Sequence, residues 1–229
     1  MSDDHMVLKK RHSSHLMSFR KLHFVAAVLS LLALMPVLPA KSTDPLTLVV
    51  FGDSLVAGYQ LAPDEAFPAQ LEQALQARGH NVKVINAGVS GDTSSAGLSR
   101  LDWSIGPDAD AVLLELGAND ALRGIPPANT RQNIDEMVRR LSERGVPVLV
   151  AGMLAPPNLG PEYAEDFNPI FQYVAEKYGA LLYPFFLEGV ALDPDLNLDD
   201  GMHPNARGVS VIVGNVLPSV EELLARAGS

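Results

Sequence analysis

The sequence predicts a three-layer α/β/α domain, flavodoxin-like in arrangement, built on a five-stranded parallel sheet. Five short, apolar, β-branched runs recur at Leu46 to Phe51, Val82 to Ile85, Ala111 to Leu116, Pro147 to Met153 and Ala180 to Phe186. Stretches with helical spacing separate them, and strands that alternate with helices need crossover connections and hence pair in parallel. About 189 residues follow the first 40, enough for one sizeable core and too few for two ordinary domains.

The first helix is marked by Asp64 near its start, Pro68 in the opening turn, Phe67, Leu71 and Leu75 at four-residue intervals, and Gly79 as a stop. Later helices are expected over Ser95 to Trp103, Thr130 to Arg144, Phe167 to Tyr178 and Asn205 to Ala225. In the second of these, Ile134, Met137, Val138 and Leu141 form the apolar stripe that Gly145 ends. Pro169 and Pro218 should start or kink the last two. Right-handed crossovers then place helices on both faces of the sheet.

Residues 1 to 40 differ from the rest. Lys9, Lys10, Arg11, Arg20 and Lys21 precede the apolar stretch Phe24 to Met35, and Pro36, Pro39 and Ala40 follow. This is the pattern of a secretory signal peptide, and its apolar core is shorter than the roughly 20 residues of a membrane span. An uncleaved anchor is the alternative. Cleavage after Ala40 would leave the large Leu38 at the minus-three position, which leaves the exact site open. The domain from 41 to 229 is accordingly expected in the periplasm or outside the cell, as a monomer.

Without residues 1 to 40, 12 basic residues face 25 acidic ones, a net charge of −13. Such a surface repels nucleic acid. Cysteine is absent, which excludes disulfides, thiolate catalysis and cysteine-based metal sites. Four of the six histidines lie in the leader, leaving His80 and His203. A multi-histidine zinc centre is thereby excluded, and no H-E-x-x-H occurs, so no metal site is expected.

In such sheets ligands bind beyond the carboxyl ends of the strands, near the point where strand order reverses. The informative polar residues fall there. Gly52-Asp53-Ser54-Leu55 presents a hydroxyl directly after the first strand, and Asp200-Gly201-Met202-His203-Pro204 brings a carboxylate and an imidazole within three residues. These are the groups that make a serine reactive at neutral pH. Taken alone, Asp53 and Ser54 equally fit a turn or helix cap. The second residue after Ser54 is Val56, not glycine, so this is no G-x-S-x-G elbow. Gly91 after the second strand can bring a backbone N–H close to developing negative charge, or serve a plain turn. Asn119 after the third can donate a neutral amide to an oxyanion, or form a turn. His203, held extended by Pro204, is the better candidate base, because His80 sits in the polar turn Arg78-Gly79-His80-Asn81.

These four segments, Gly52 to Leu55, Ser90 to Thr93, Gly117 to Asp120 and Asp200 to Pro204, resemble the blocks of the SGNH (GDSL) hydrolases, in order and over essentially the whole mature chain. Asn119 to Gly124, Leu154 to Gly160 and Pro184 to Phe186 look like the bacterial periplasmic thioesterase I group, whose members are also described as lysophospholipases and arylesterases. The resemblance implies Ser54 as nucleophile, His203 as base, Asp200 as its partner, and an oxyanion hole from the Ser54 and Gly91 N–H groups and the Asn119 amide. It implies hydrolysis of acyl esters or thioesters with no cofactor. Leu122, Ile125, Pro126, Pro127, Leu154 and Leu159 on the rim loops either line an acyl groove or anchor their loops. The rival readings are a carbohydrate deacetylase using the same groups and a noncatalytic module holding a lipid or glycan.

Overall fold

The computed structural model describes residues 44–228. The leader expected over residues 1 to 40 lies outside them. Five strands run parallel: β1 (Leu46–Gly52), β2 (Val82–Gly88), β3 (Ala111–Glu115), β4 (Val148–Ala151) and β5 (Leu181–Tyr183), in the order β2-β1-β3-β4-β5. After β1 the chain adds β2 on one side, then crosses over to build outward on the other. The order therefore reverses between β1 and β3, whose carboxyl ends lie side by side through the pairing Phe51↔Leu114.

Among the described residues eight helices accompany the strands, seven between them and one after β5: α1 (Ser54–Ala57), α2 (Phe67–Ala77), α3 (Ser94–Ser104), α4 (Ala118–Leu122), α5 (Pro127–Glu143), α6 (Pro161–Phe167), α7 (Ile170–Tyr178) and α8 (Ala206–Ala227). One 3-10 turn spans Pro157–Leu159. Helices α2 and α8 pack against each other, as do α3 with α5 and α5 with α7, giving the expected three layers. Because both faces of the sheet are covered, β3 and β4 are buried at every position and β1 from Leu48 on, so these strands read as nearly continuous apolar runs rather than alternating ones. Leu48, Val50, Phe51, Leu113 and Leu149 are fully enclosed with Phe67 and Phe186, whose rings meet edge to face. Each such side chain stabilises the fold by about 1.5–3 kcal/mol relative to exposure.

The helices depart from expectation in three places. The segment 167–178 is not one helix: α6 ends at Phe167 and α7 begins at Ile170. Pro169, lacking an N–H, stands at the break and opens α7. Pro218 lies inside α8, which continues past it; the start of that helix is set instead by Asn205, whose Oδ1 accepts from the N–H groups of Arg207 and Gly208. The short helices α1 and α4 follow β1 and β3 directly; a helix start at Ser54 was one of the two readings of Asp53 and Ser54, whereas Asn119 was expected in a loop.

Candidate active site

Ser54 is the first residue of α1, immediately beyond β1. Its Oγ lies 2.9 Å from His203 Nε2, and His203 Nδ1 lies 2.7 Å from Asp200 Oδ2. The carboxylate and imidazole come from one closed turn. Asn197 and Pro204 bridge, Leu198 N–H donates to the His203 carbonyl at 2.7 Å, and Asp200 Oδ1 accepts from the N–H groups of Met202 and His203 at 2.9 and 3.0 Å. Burial pushes the Asp200 carboxyl upward, but the His203 N–H, then the Met202 N–H and the imidazole outweigh it and hold its pKa down at about 2. An ionised Asp200 fixes the imidazole proton on Nδ1 and leaves the Nε2 lone pair facing the Ser54 hydroxyl. Tyr59, in the loop after α1, lays its ring against the imidazole with centroids 4.4 Å apart.

Asn119 is the second residue of α4 beyond β3, across the reversal point from Ser54. Its Nδ2 donates to Asp53 Oδ2 at 2.9 Å, while Asp53 Oδ1 accepts from Leu55 N–H at 3.0 Å. Asp53 is thus both the cap of α1 and the anchor of Asn119. An amide nitrogen carries two hydrogens, so one bond to Asp53 fixes the group and leaves the second N–H to donate elsewhere.

Gly91 adopts φ +86°, a left-handed conformation that an L side chain rarely takes. A Cβ there would meet only the Arg123 guanidinium, at 3.7 Å, so backbone conformation rather than crowding calls for glycine. Arg123 donates to the Gly91 carbonyl at 2.8 Å, tying the loop after β2 to the end of α4. A second tie is Asp120, buried beside Asn119, whose carboxylate accepts from the Ser94 N–H and hydroxyl at the start of α3 and from the Thr130 hydroxyl. Arg100 completes the frame: it donates to the carbonyls of Gly52 and Ala87 near the ends of β1 and β2, pairs with Asp92 and lies over the Phe51 ring.

The structure therefore brings Ser54, His203 and Asp200 into one relay and links Asn119 to the residue before Ser54. His80 lies apart from it, bonded to Glu221 of α8. Among the apolar rim residues, Leu122 and Leu154 are half-exposed, as are Tyr59, Val89 and Met202. Ile125 and Pro126 instead border an open hollow of about 450 Å³ lined mostly by the polar residues Ser95, Asp120, Asn129, Gln132 and Asn133. Pro127 opens α5, and Leu159 packs against the core. Sequence reasoning missed Tyr59, Arg100 and Asp120, and treated Asp53 only as a cap. Asp120 stands next to Asn119, but an aspartate in a loop carries no signal of burial.

A parallel α/β sheet with a serine hydroxyl, an imidazole and a carboxylate in one relay at its carboxyl edge has the arrangement of a serine hydrolase. The model of the GDSL-like Lipase/Acylhydrolase family matches residues 50–211. An arylesterase of Vibrio mimicus is 42% identical over 168 residues, spanning 73% of this chain and 84% of its own. Thioesterase 1/protease 1/lysophospholipase L1 of Escherichia coli (strain K12) is 39% identical over 160 residues, 69% of this chain and 76% of its own. The crystal structure of TesA superposes with a TM-score of 0.74 at 38% identity, over 77% of this chain and 99% of that one. The chain belongs to the GDSL-like lipase/acylhydrolase family and is a serine esterase. The noncatalytic alternative falls with that membership.

Proposed function

We propose that Ser54 is the nucleophile, His203 its general base and Asp200 the residue that orients the base, in hydrolysis of acyl esters and thioesters through an acyl-enzyme. The observation that carries this reading is the relay Ser54–His203–Asp200, with steps of 2.9 and 2.7 Å. In the first half-reaction Nε2 takes the Ser54 proton as Oγ attacks the carbonyl carbon, and then returns it to the leaving alcohol or thiol. Water repeats the sequence on the acyl-enzyme and releases the acid. The Ser54 and Gly91 N–H groups and the second N–H of Asn119 receive the negative charge on the carbonyl oxygen, each contributing about 3 kcal/mol to transition-state stabilisation.

For the substrate, the half-exposed Tyr59, Val89, Leu122, Leu154 and Met202 favour an apolar acyl group over the acetyl group of a sugar. The names of the relatives, an arylesterase and a thioesterase and lysophospholipase, agree with that class. The leader pattern in residues 1 to 40 supports export of the mature enzyme.

Ser54→Ala should abolish turnover and covalent labelling by a fluorophosphonate, and Asn119→Ala should lower kcat about a hundredfold with little change in KM. His80→Ala should leave both rates near wild type. Labelling retained at another serine would overturn the assignment.

A further inference from the structure

Glu115, the last residue of β3, is fully buried and has no part in the steps above. Its Oε2 accepts from the Asp53 N–H at a long 3.3 Å, and its Oε1 is a buried side-chain oxygen without a hydrogen-bond acceptor role filled by any donor. A Cβ on Gly52 would lie 2.6 Å from that carboxyl and 2.5 Å from Val56, so the glycine makes room for Glu115 directly beneath the nucleophile's turn.

The charged groups around it give a carboxylate no compensation. Asp53, at the junction of β1 and α1, presents another carboxyl to it. Arg100 of α3 is committed to Asp92 and to main-chain carbonyls. His203, on the loop before α8, acts on Asp53. Burial, and then the charge of Asp53, push the Glu115 pKa well above the usual carboxylate range, while burial raises Asp53 as well. Neighbouring buried carboxyls disfavour double ionisation, and since Asp53 has two donors on its oxygens against one long contact for Glu115, the proton is favoured on Glu115. A protonated Glu115 has an O–H to offer the Asp53 carboxylate, which still accepts from Leu55 N–H and Asn119 Nδ2.

We propose that Glu115 is a positioning residue for the oxyanion hole: a neutral carboxylic acid that fixes the Asp53 carboxylate, and through it the Asn119 amide. This rests on the reading of Asn119 as an oxyanion donor. The chain of contacts runs from Glu115 to Asp53 to Asn119, and the free N–H of Asn119 is aimed only as well as Asp53 is held. Misaiming a preorganised donor costs turnover rather than substrate affinity.

The test is steady-state kinetics on a soluble aryl ester, with thermal unfolding, for wild type, Glu115→Gln, Glu115→Leu, Asn119→Ala and the Glu115→Leu/Asn119→Ala double variant. Glu115→Leu should lower kcat about tenfold or more with KM nearly constant, because the contact it supports forms in the transition state. Glu115→Gln, whose amide N–H can still donate to Asp53, should recover kcat to within about threefold. The double variant should be no slower than Asn119→Ala alone, since the two act in series. Wild-type kcat in Glu115→Leu, or losses that multiply in the double variant while Asn119→Ala alone is slow, would overturn the role of Glu115 and leave Asn119 standing. Wild-type kcat in Asn119→Ala would overturn both. Should Glu115→Leu fail to fold, Glu115→Gln decides: a native melting curve with a tenfold loss of kcat is the overturning result, and near-normal kcat the supporting one.

Discussion

Asp200 and Glu115 are both carboxyls within reach of the same serine turn, and their surroundings drive them to opposite protonation states. Asp200 has two backbone N–H groups and an imidazole, so its charge is solvated by the protein; Glu115 has one long N–H contact and a neighbouring carboxyl. The signs for stability oppose as well. Asp200, depressed, contributes stability above its unfolded pKa that is lost as pH falls toward about 2. Glu115, raised, keeps a proton in the native state that the unfolded chain has released above about pH 4.3, so stability falls as pH rises from there, by up to about 1.4 kcal/mol per pH unit, until the native carboxyl itself ionises. Glu115→Gln has no such proton. Its melting temperature minus that of wild type should therefore increase as pH rises above about 4.3. A constant gap in thermal unfolding would mean that Glu115 is ionised in the native protein. The clue lay in the sequence, where a lone glutamate interrupts Leu113-Leu114-Glu115-Leu116, but pattern alone does not say whether such a residue is buried neutral or ends the strand.

At the level of elements, the site is a problem of holding loops after different strands in register. Arg100 ties the ends of β1 and β2, Arg123 ties Gly91 to α4, and Asp120 ties α4 to the starts of α3 and α5. Asp120→Ala removes a buried acceptor from three donors at once. It should destabilise the fold by about 2–4 kcal/mol, read as a shift in denaturant midpoint at constant slope, and should lower kcat more than it raises KM. An unchanged midpoint would show that those donors find other partners. The strands were legible because β-branched apolar runs leave few alternatives, and the catalytic segments because serine, asparagine and histidine stand just beyond them. The ties were not legible, since Arg100 to Gly52 and Asp120 to Ser94 join residues far apart in sequence whose types are common on any surface. Pro169 opens a helix, one of the two roles its sequence position allows, but the separate short helix α6 just before it was not legible, because a proline can equally kink one continuous helix.

Across the whole molecule, the reversal of strand order between β1 and β3 opens the place where Ser54 and Asn119 stand on neighbouring strand ends, with the Asp200–His203 turn brought over from beyond β5. If the half-exposed apolar side chains beside the site line the acyl-binding rim proposed above, acyl length is read there. Hydrolysis should quicken from acetyl toward medium-chain esters, each buried methylene contributing up to about 0.8 kcal/mol, and Leu154→Ser should flatten that series while sparing the acetyl ester. A wild-type enzyme that prefers acetyl esters would return the deacetylase reading. The turn from Asn197 to Pro204 has a further consequence. Bonds inside it hold the His203 imidazole and the Asp200 carboxylate together, while the Asn197 and Asn205 amides fasten it to the Val190, Asp193 and Asp195 carbonyls of the preceding loop. The loop from Pro184 to Leu196 is therefore a lever on the site: a change of length there would move imidazole and carboxylate together relative to Ser54, through the anchors at Val190, Asp193 and Asp195.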